Sequence, residues 1–290
     1  MDGLLRLGRS EFGPDDRVVM AIVNRTPDSF YDKGATYAED AALDRVDQAV
    51  ADGARIVDIG GVKAGPGEEV TTDEEIRRTV PFVGKVRARH PDLVISVDTW
   101  RAEVGRAVCE AGADVLNDAW GGYDPRLAEV AAEFRAGLVC THTGGTVPRN
   151  RPRKGVSYPD VMADILDQTL RLAERAVELG VPRESVLIDP AHDFGKNTRH
   201  SLEATRRIGE MIETGWPVLV SLSNKDFIGE TLDMPVRQRL TGTLATTAVC
   251  AWLGARVYRV HEVVETRQVL DMVSSIQGTR PPAVERRGIA

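Results

Sequence analysis

Eight short apolar runs, each followed by a stretch of helical periodicity, constrain this chain more than any other feature. The runs are VVMAIV from Val18, ARIVDI from Ala54, LVISVD from Leu93, ADVLND from Ala113, GLVCTH from Gly137, SVLIDP from Ser185, PVLVSL from Pro217 and ARVYRV from Ala255. Their near-continuous aliphatic and β-branched character suits strands covered on both faces of a parallel sheet. Between them, Leu43, Val46 and Val50 recur at helical spacing, and Thr72 with Glu75 reads as a capping box ahead of Ile76. Met162, Ile165, Leu166, Ala173 and Val177 line one face of a long helix that Gly180 is placed to end. Eight βα units without a compositional break predict an α/β fold, a single (β/α)8 TIM barrel over 18–278, rather than a doubly wound sheet. Residues 1–17 read as an N-terminal leader segment and 279–290 as a flexible tail. The proline- and arginine-bearing segment 143–158 reads as a mobile loop above the fifth strand.

Composition removes several function classes. A formal net charge of -7 disfavours a nucleic-acid partner, though not a local basic pocket for a phosphorylated small molecule. Cys109, Cys140 and Cys250 are far apart and form no C-x-x-C spacing, so a zinc site or disulfide framework is not expected and a reducing, cytoplasmic setting is. No apolar stretch is long enough to span a membrane.

In a barrel of this kind the active site lies at the C-terminal ends of the strands. Those ends carry Asn24, Thr26, Asp28 and Phe30 after the first run, Asp58, Gly60 and Gly61 after the second, and Asp98 after the third. Asn117 and Asp118 follow the fourth, His142 the fifth, Asp189 the sixth, Ser223 and Lys225 the seventh, and Arg259 and His261 the eighth. Any one of these could simply turn the chain. Eight together imply a ligand, because each buried polar group without a partner costs free energy. Arg259 and His261, two apart on an extended strand, point to the same side.

The ordered motifs NRTPDSF, DIGG, SVDT, NDAWGG, DPAHDFGKN, SNKDFIG, RLTGTLA and RVH resemble those of dihydropteroate synthase, over 18–263. That family joins a dihydropterin pyrophosphate to p-aminobenzoate in folate biosynthesis, on a (β/α)8 barrel, as a homodimer. The resemblance implies that Asp98, Asn117, Asp189 and Lys225 bind the pterin ring. It implies that Asn24, Arg259 and His261 bind pyrophosphate, with Asn24 supporting its Mg2+. It implies that Asp28 stabilises a pterin methylene cation under a closing first loop, and that Lys225 shares the catalytic work. Two carboxylates and an amide suit the donor and acceptor edge of a pterin, since a carboxylate can take two N–H bonds at once. Asp98 could instead end its strand and cap the next helix.

Departures from the family pattern are concentrated. The second loop, G-G-E-S-T-R-P-G in the family, carries Ala64 and Gly65 in place of the Thr-Arg pair, with Lys63 before them. The seventh motif, S-R-K-S-F in the family, carries Asp226 in place of the serine that holds the p-aminobenzoate carboxylate near a helix N-terminus. Two carboxylates at about 4 Å repel by about 4 kcal/mol at an effective dielectric near 20. Asp226 could equally turn away and cap the following helix. Arg25, Tyr31 and Thr143 also differ, and Ala191 and Asp193 replace glycines. The expectation is a homologue with a retained pterin pocket and weak or absent synthase activity. The alternatives are a genuine synthase in which Lys63, Arg149 or Arg151 replaces the missing arginine, a pterin-ring methyltransferase with a corrinoid partner, and a pterin-binding protein without catalysis.

Overall fold

The computed structural model describes residues 3–24, 35–62, 69–145, 148 and 157–288, with side chains described from residue 40 onward in the first helix. Eight parallel strands form a nearly closed barrel: β3 (Val18–Asn24), β4 (Ile56–Gly60), β5 (Val94–Asp98), β6 (Val115–Asp118), β7 (Gly137–Thr141), β8 (Val186–Asp189), β9 (Leu219–Val220) and β10 (Val257–Val260). They pair in sequence order, β10 pairs with β3, and a parallel bridge between Ile188 and Val218 joins β8 to the segment entering β9. Helices intervene: α1 (Ala35–Ala51), α2 (Thr72–Arg89), α3 (Ala102–Glu110), α4 (Arg126–Phe134), α5 (Val161–Leu179), α6 (Thr198–Arg206), α7 (Ile208–Ile212), α8 (Asp226–Leu232), α9 (Leu240–Leu253) and α10 (Val263–Ile276). The expected (β/α)8 architecture is thus the observed one.

Helix ends follow local chemistry. Asp160 caps α5 by accepting from the Met162 and Ala163 N–H groups, and Gly180 ends it with φ 108°. The cap of α2 is Thr71, which accepts from Glu74 N, one residue before the expected Thr72. The face of α5 that packs inward is carried by Met162, Ile165, Thr169, Ala173 and Ala176, whereas Val177 is turned to the surface.

Strand alternation sorts the core into two shells. Met20, Ile56, Val94, Val115, Val139, Leu187, Leu219 and Val257 fill the lower barrel interior. Their neighbours of opposite parity, such as Val19, Val57, Ile95, Leu116 and Cys140, face the helices. The described part of the segment expected as a leader begins at Gly3 and forms a hairpin. The strands β1 (Leu5–Leu7) and β2 (Ser10–Phe12) pair antiparallel and close the barrel floor. The alternation L-R-L and S-E-F places Leu5, Leu7 and Phe12 on one fully buried face, while Arg6 and Glu11 pair on the other at 2.7 Å. Arg256 ties this hairpin down by donating to the carbonyls of Gly3, Phe12 and Gly13. Charges in the segment masked that alternation. Residues 280–288 are exposed and carry no helix or strand.

Candidate active site

Above the apolar layer the same inward parity becomes polar. Asp58, Ser96, Asn117, Thr141, Asp189 and Arg259 follow Ile56, Val94, Val115, Val139, Leu187 and Val257 by two residues. Along the register, Asn24, Gly60, Asp98 and Asn117 are successive partners across four strands. Period two therefore delivers a ring of hydrogen-bonding groups to the barrel mouth.

These groups converge on one guanidinium. Arg259 Nε donates to Asp58 Oδ2 at 2.6 Å and its Nη2 to Asp98 Oδ2 at 3.1 Å. Asp58 is fully buried and also accepts from Ser96 Oγ at 2.6 Å and from Asn117 Nδ2 at 3.3 Å. Two carboxylates thus share one cation. Burial pushes the Asp98 carboxyl up to about 7, with Arg259 opposing and Asp58 reinforcing the shift. Asp189 accepts from Ala191 N at 2.7 Å, and burial pushes it up to about 6. Lys225 lies 4.7 Å from the centre of the Phe194 ring, and burial lowers its proton affinity. Trp100, Trp120 and Phe194 form an edge-to-face series at 6.2 and 5.2 Å. His261 Nδ1 lies 3.1 Å from Ser223 Oγ, which donates to Glu262 at 2.8 Å.

Two strand-end residues do not face this mouth. Asp118 has the outward parity and accepts from the N–H groups of Trp120 and Gly122 at 3.1 and 2.6 Å. His142 is buried against α5, with Nε2 2.6 Å from Asp164 and Nδ1 2.5 Å from Lys196 Nζ. Lys196 also donates to the carbonyls of Ala191 and Phe194 at 3.2 and 3.0 Å, so it holds the loop after β8 from beneath. Burial brings its ammonium down to about 7.

The corner after β9 resolves the two placements open for Asp226. Its side chain is 79% exposed and turned outward to Arg239 Nη1, 2.8 Å away. It does not cap α8 with its side chain. The backbone N–H of Asp226 instead donates to Asp193 Oδ2 at 2.6 Å, and that of Phe227 to both Asp193 oxygens at 3.3 and 3.4 Å. Asp193 and Ala191 adopt φ 70° and 47°. Asp28 and Phe30, with Arg25 and Tyr31, lie outside the described residues, as do Lys63, Ala64, Gly65, Arg149 and Arg151 and most of the loop 143–158.

Residues 20–261 match the family described as pterin binding enzyme. This chain belongs to that family. "Inactive dihydropteroate synthase 2" of Mycobacterium tuberculosis is 60% identical over 279 residues, covering 95% of this chain and 88% of that protein. "Dihydropteroate synthase" of Bacillus subtilis is 36% identical over 261 residues, covering 89% and 88%. The crystal structure of Yersinia pestis dihydropteroate synthase in a sulfonamide drug complex superposes with a TM-score of 0.87 at 32% identity, covering 96% of this chain and 100% of that one. The chain is therefore a dihydropteroate synthase homologue.

Within this pterin-binding barrel, Asp98, Asn117 and Arg259 meet in one network, with Asp189 and Lys225 close enough for Arg259 and Lys225 to act on the Asp189 charge. Sequence reasoning placed Asp58 at a strand end and gave it no role. A charged residue inside the apolar run IVDIG was the available signal, because a buried carboxylate needs partners. Lys196 went unnoticed because nothing local marks a lysine as buried. No group of three or more His, Cys, Asp or Glu side chains able to hold a metal occurs among the described residues.

Proposed function

We propose that this dihydropteroate synthase homologue keeps a pterin pocket and has weak or absent synthase activity, because the side that takes p-aminobenzoate is altered. The observation that carries the reading is the Asp58–Arg259–Asp98 network with Asn117, a set of donors and acceptors on one wall suited to a pterin edge. In this reading Asp98, Asn117 and Asp189 meet the ring edge, and Lys225 meets its acceptor atoms. Arg259, His261 and Asn24 receive the pyrophosphate. Asp28 stabilises charge developing on the pterin methylene.

Mg2+ fits this donor set through Asn24. That residue ends β3 at the mouth, where a Cβ built on Gly60 would lie 3.6 Å from its Oδ1. One neutral oxygen suffices for an ion that retains waters and takes phosphate oxygens. When bound, Mg2+ would neutralise charge on the leaving pyrophosphate. Ala64, Gly65 and Asp226 are the altered positions on the second-substrate side, and the name of the mycobacterial relatives agrees with a lost activity. A homodimer is supported by apolar residues exposed on α9 and α10, among them Val249, Trp252, Met272 and Ile276. Three free, buried cysteines suit a reducing cytoplasm. No described helix is long and apolar enough to cross a membrane.

The test supplies dihydropterin pyrophosphate, Mg2+ and p-aminobenzoate and follows pyrophosphate release and product. Turnover near ordinary enzymatic rates, about 1 per second or faster, overturns the loss of activity. Failure to bind a pterin in a separate titration overturns the pocket.

A further inference from the structure

We propose that Asp193 determines specificity at the corner after β9, its carboxylate standing where a carboxylated aromatic amine would place its own. The inference rests on the functional reading above and deepens it: the ligand class excluded from the second half of the cleft is anionic. Asp193 takes the two backbone N–H groups at 226 and 227, the shorter bond being 2.6 Å, and also accepts from Ser201 Oγ at 3.2 Å. The Asp226 side chain does not compete for those N–H groups, because it is exposed and paired with Arg239. The nearby cation is engaged as well: among the charges acting on Lys225, Asp193 contributes the largest attraction. An incoming carboxylate would meet donors already taken and a second carboxyl group beside them.

The side chain is held there at a conformational cost. Asp193 has φ 70°, in the left-handed region that favours glycine, and Ala191 two residues earlier has φ 47°. A glycine at 193 would meet the backbone requirement without the carboxylate. The acidic residue supplied to this corner is thus Asp193 from the loop after β8, not Asp226, the position that the motif SNKDFIG brings forward.

Calorimetry of the full chain with p-aminobenzoate and with neutral p-aminobenzamide tests this, comparing wild type, Asp193→Gly and Asp193→Asn. Asp193→Gly frees both N–H groups and removes the charge. It is expected to raise affinity for the carboxylate relative to the amide by about 10- to 100-fold, the range of a charge-assisted hydrogen bond. Asp193→Asn keeps an acceptor oxygen and the loop tether, and should move the ratio in the same direction by less. An unchanged carboxylate-to-amide ratio in both variants, or no gain in carboxylate binding by either, overturns the proposal. Pterin titration of the same proteins separates the two claims. Pterin binding with an unmoved ratio refutes the role of Asp193 alone, and a moved ratio without pterin binding refutes the pterin pocket alone.

Discussion

Replacing Asp58 by asparagine should unsettle the barrel mouth more than replacing Asp98, although both residues bind the same guanidinium. Asp58 is fully buried and accepts from Arg259, Ser96 and Asn117, whereas Asp98 is 19% exposed and holds Arg259 at the longer distance of 3.1 Å. Removing one partner of a buried ion pair costs about 3–5 kcal/mol, because the other charge remains buried. Part of that returns, since Asp98 can then ionise fully against Arg259 without the repulsion of Asp58. A net loss of about 3 kcal/mol follows. For a chain of this size, with a urea m-value of about 3 kcal/mol/M, the unfolding midpoint should fall by about 1 M. Asp98→Asn removes the surplus carboxylate of the trio and should cost under about 1 kcal/mol at neutral pH. Urea unfolding, read by circular dichroism and tryptophan fluorescence, measures both. In the cycle with Arg259→Met, the Asp58→Asn double variant should lose less than the sum of the singles by about 1.5 kcal/mol or more. An Asp58→Asn cost below about 1 kcal/mol, or a larger cost at Asp98, would refute the assignment of Asp58 as the main counter-ion.

The raised proton affinity of Asp98 has a signed consequence. A carboxyl whose folded value lies near 7, against the ordinary 3.8, contributes stability that is fully present below the lower value and lost as pH rises through the upper one. Between about pH 4 and pH 7, the window of that shift, wild type should lose stability relative to Asp98→Asn; parallel urea midpoints across the range would contradict this. Arg135, exposed at the end of α4 with φ 54°, should gain about 0.5–1 kcal/mol on replacement by glycine. Differential scanning calorimetry should show a rise of about 1–3 °C, and an unchanged or lower Tm would remove the backbone-strain argument.

The barrel was legible because its signal is redundant. Eight apolar runs of strand length alternate with helical faces, and a parallel sheet covered on both sides is the arrangement that satisfies all of them. The mouth residues Asp98, Asn117 and Asp189 could be named because each lies at the end of a run, and strand ends in this fold meet at one mouth. Which strand-end groups turn inward was not legible at the same level. Asp118 and His142 share those ends with Asn117 and Thr141, and one residue of register sends a side chain to the helices instead of the cleft. The alternation that buries Leu5, Leu7 and Phe12 is present in the first 12 residues, but it acquires meaning only once a barrel floor exists to receive it.

The corner after β9 shows the same division more sharply. Sequence alone determined that acids had entered the sixth and seventh motifs, as Asp193 and Asp226. Tertiary structure decided which of them reaches the N–H groups at 226 and 227. Asp193 spans 33 residues of chain to make that bond because a left-handed turn after β8 lies against the corner after β9, while Asp226, next to those donors in sequence, is drawn outward by Arg239. Residue type is written locally, but the direction of a side chain in a loop depends on charges that only the closed barrel brings alongside it.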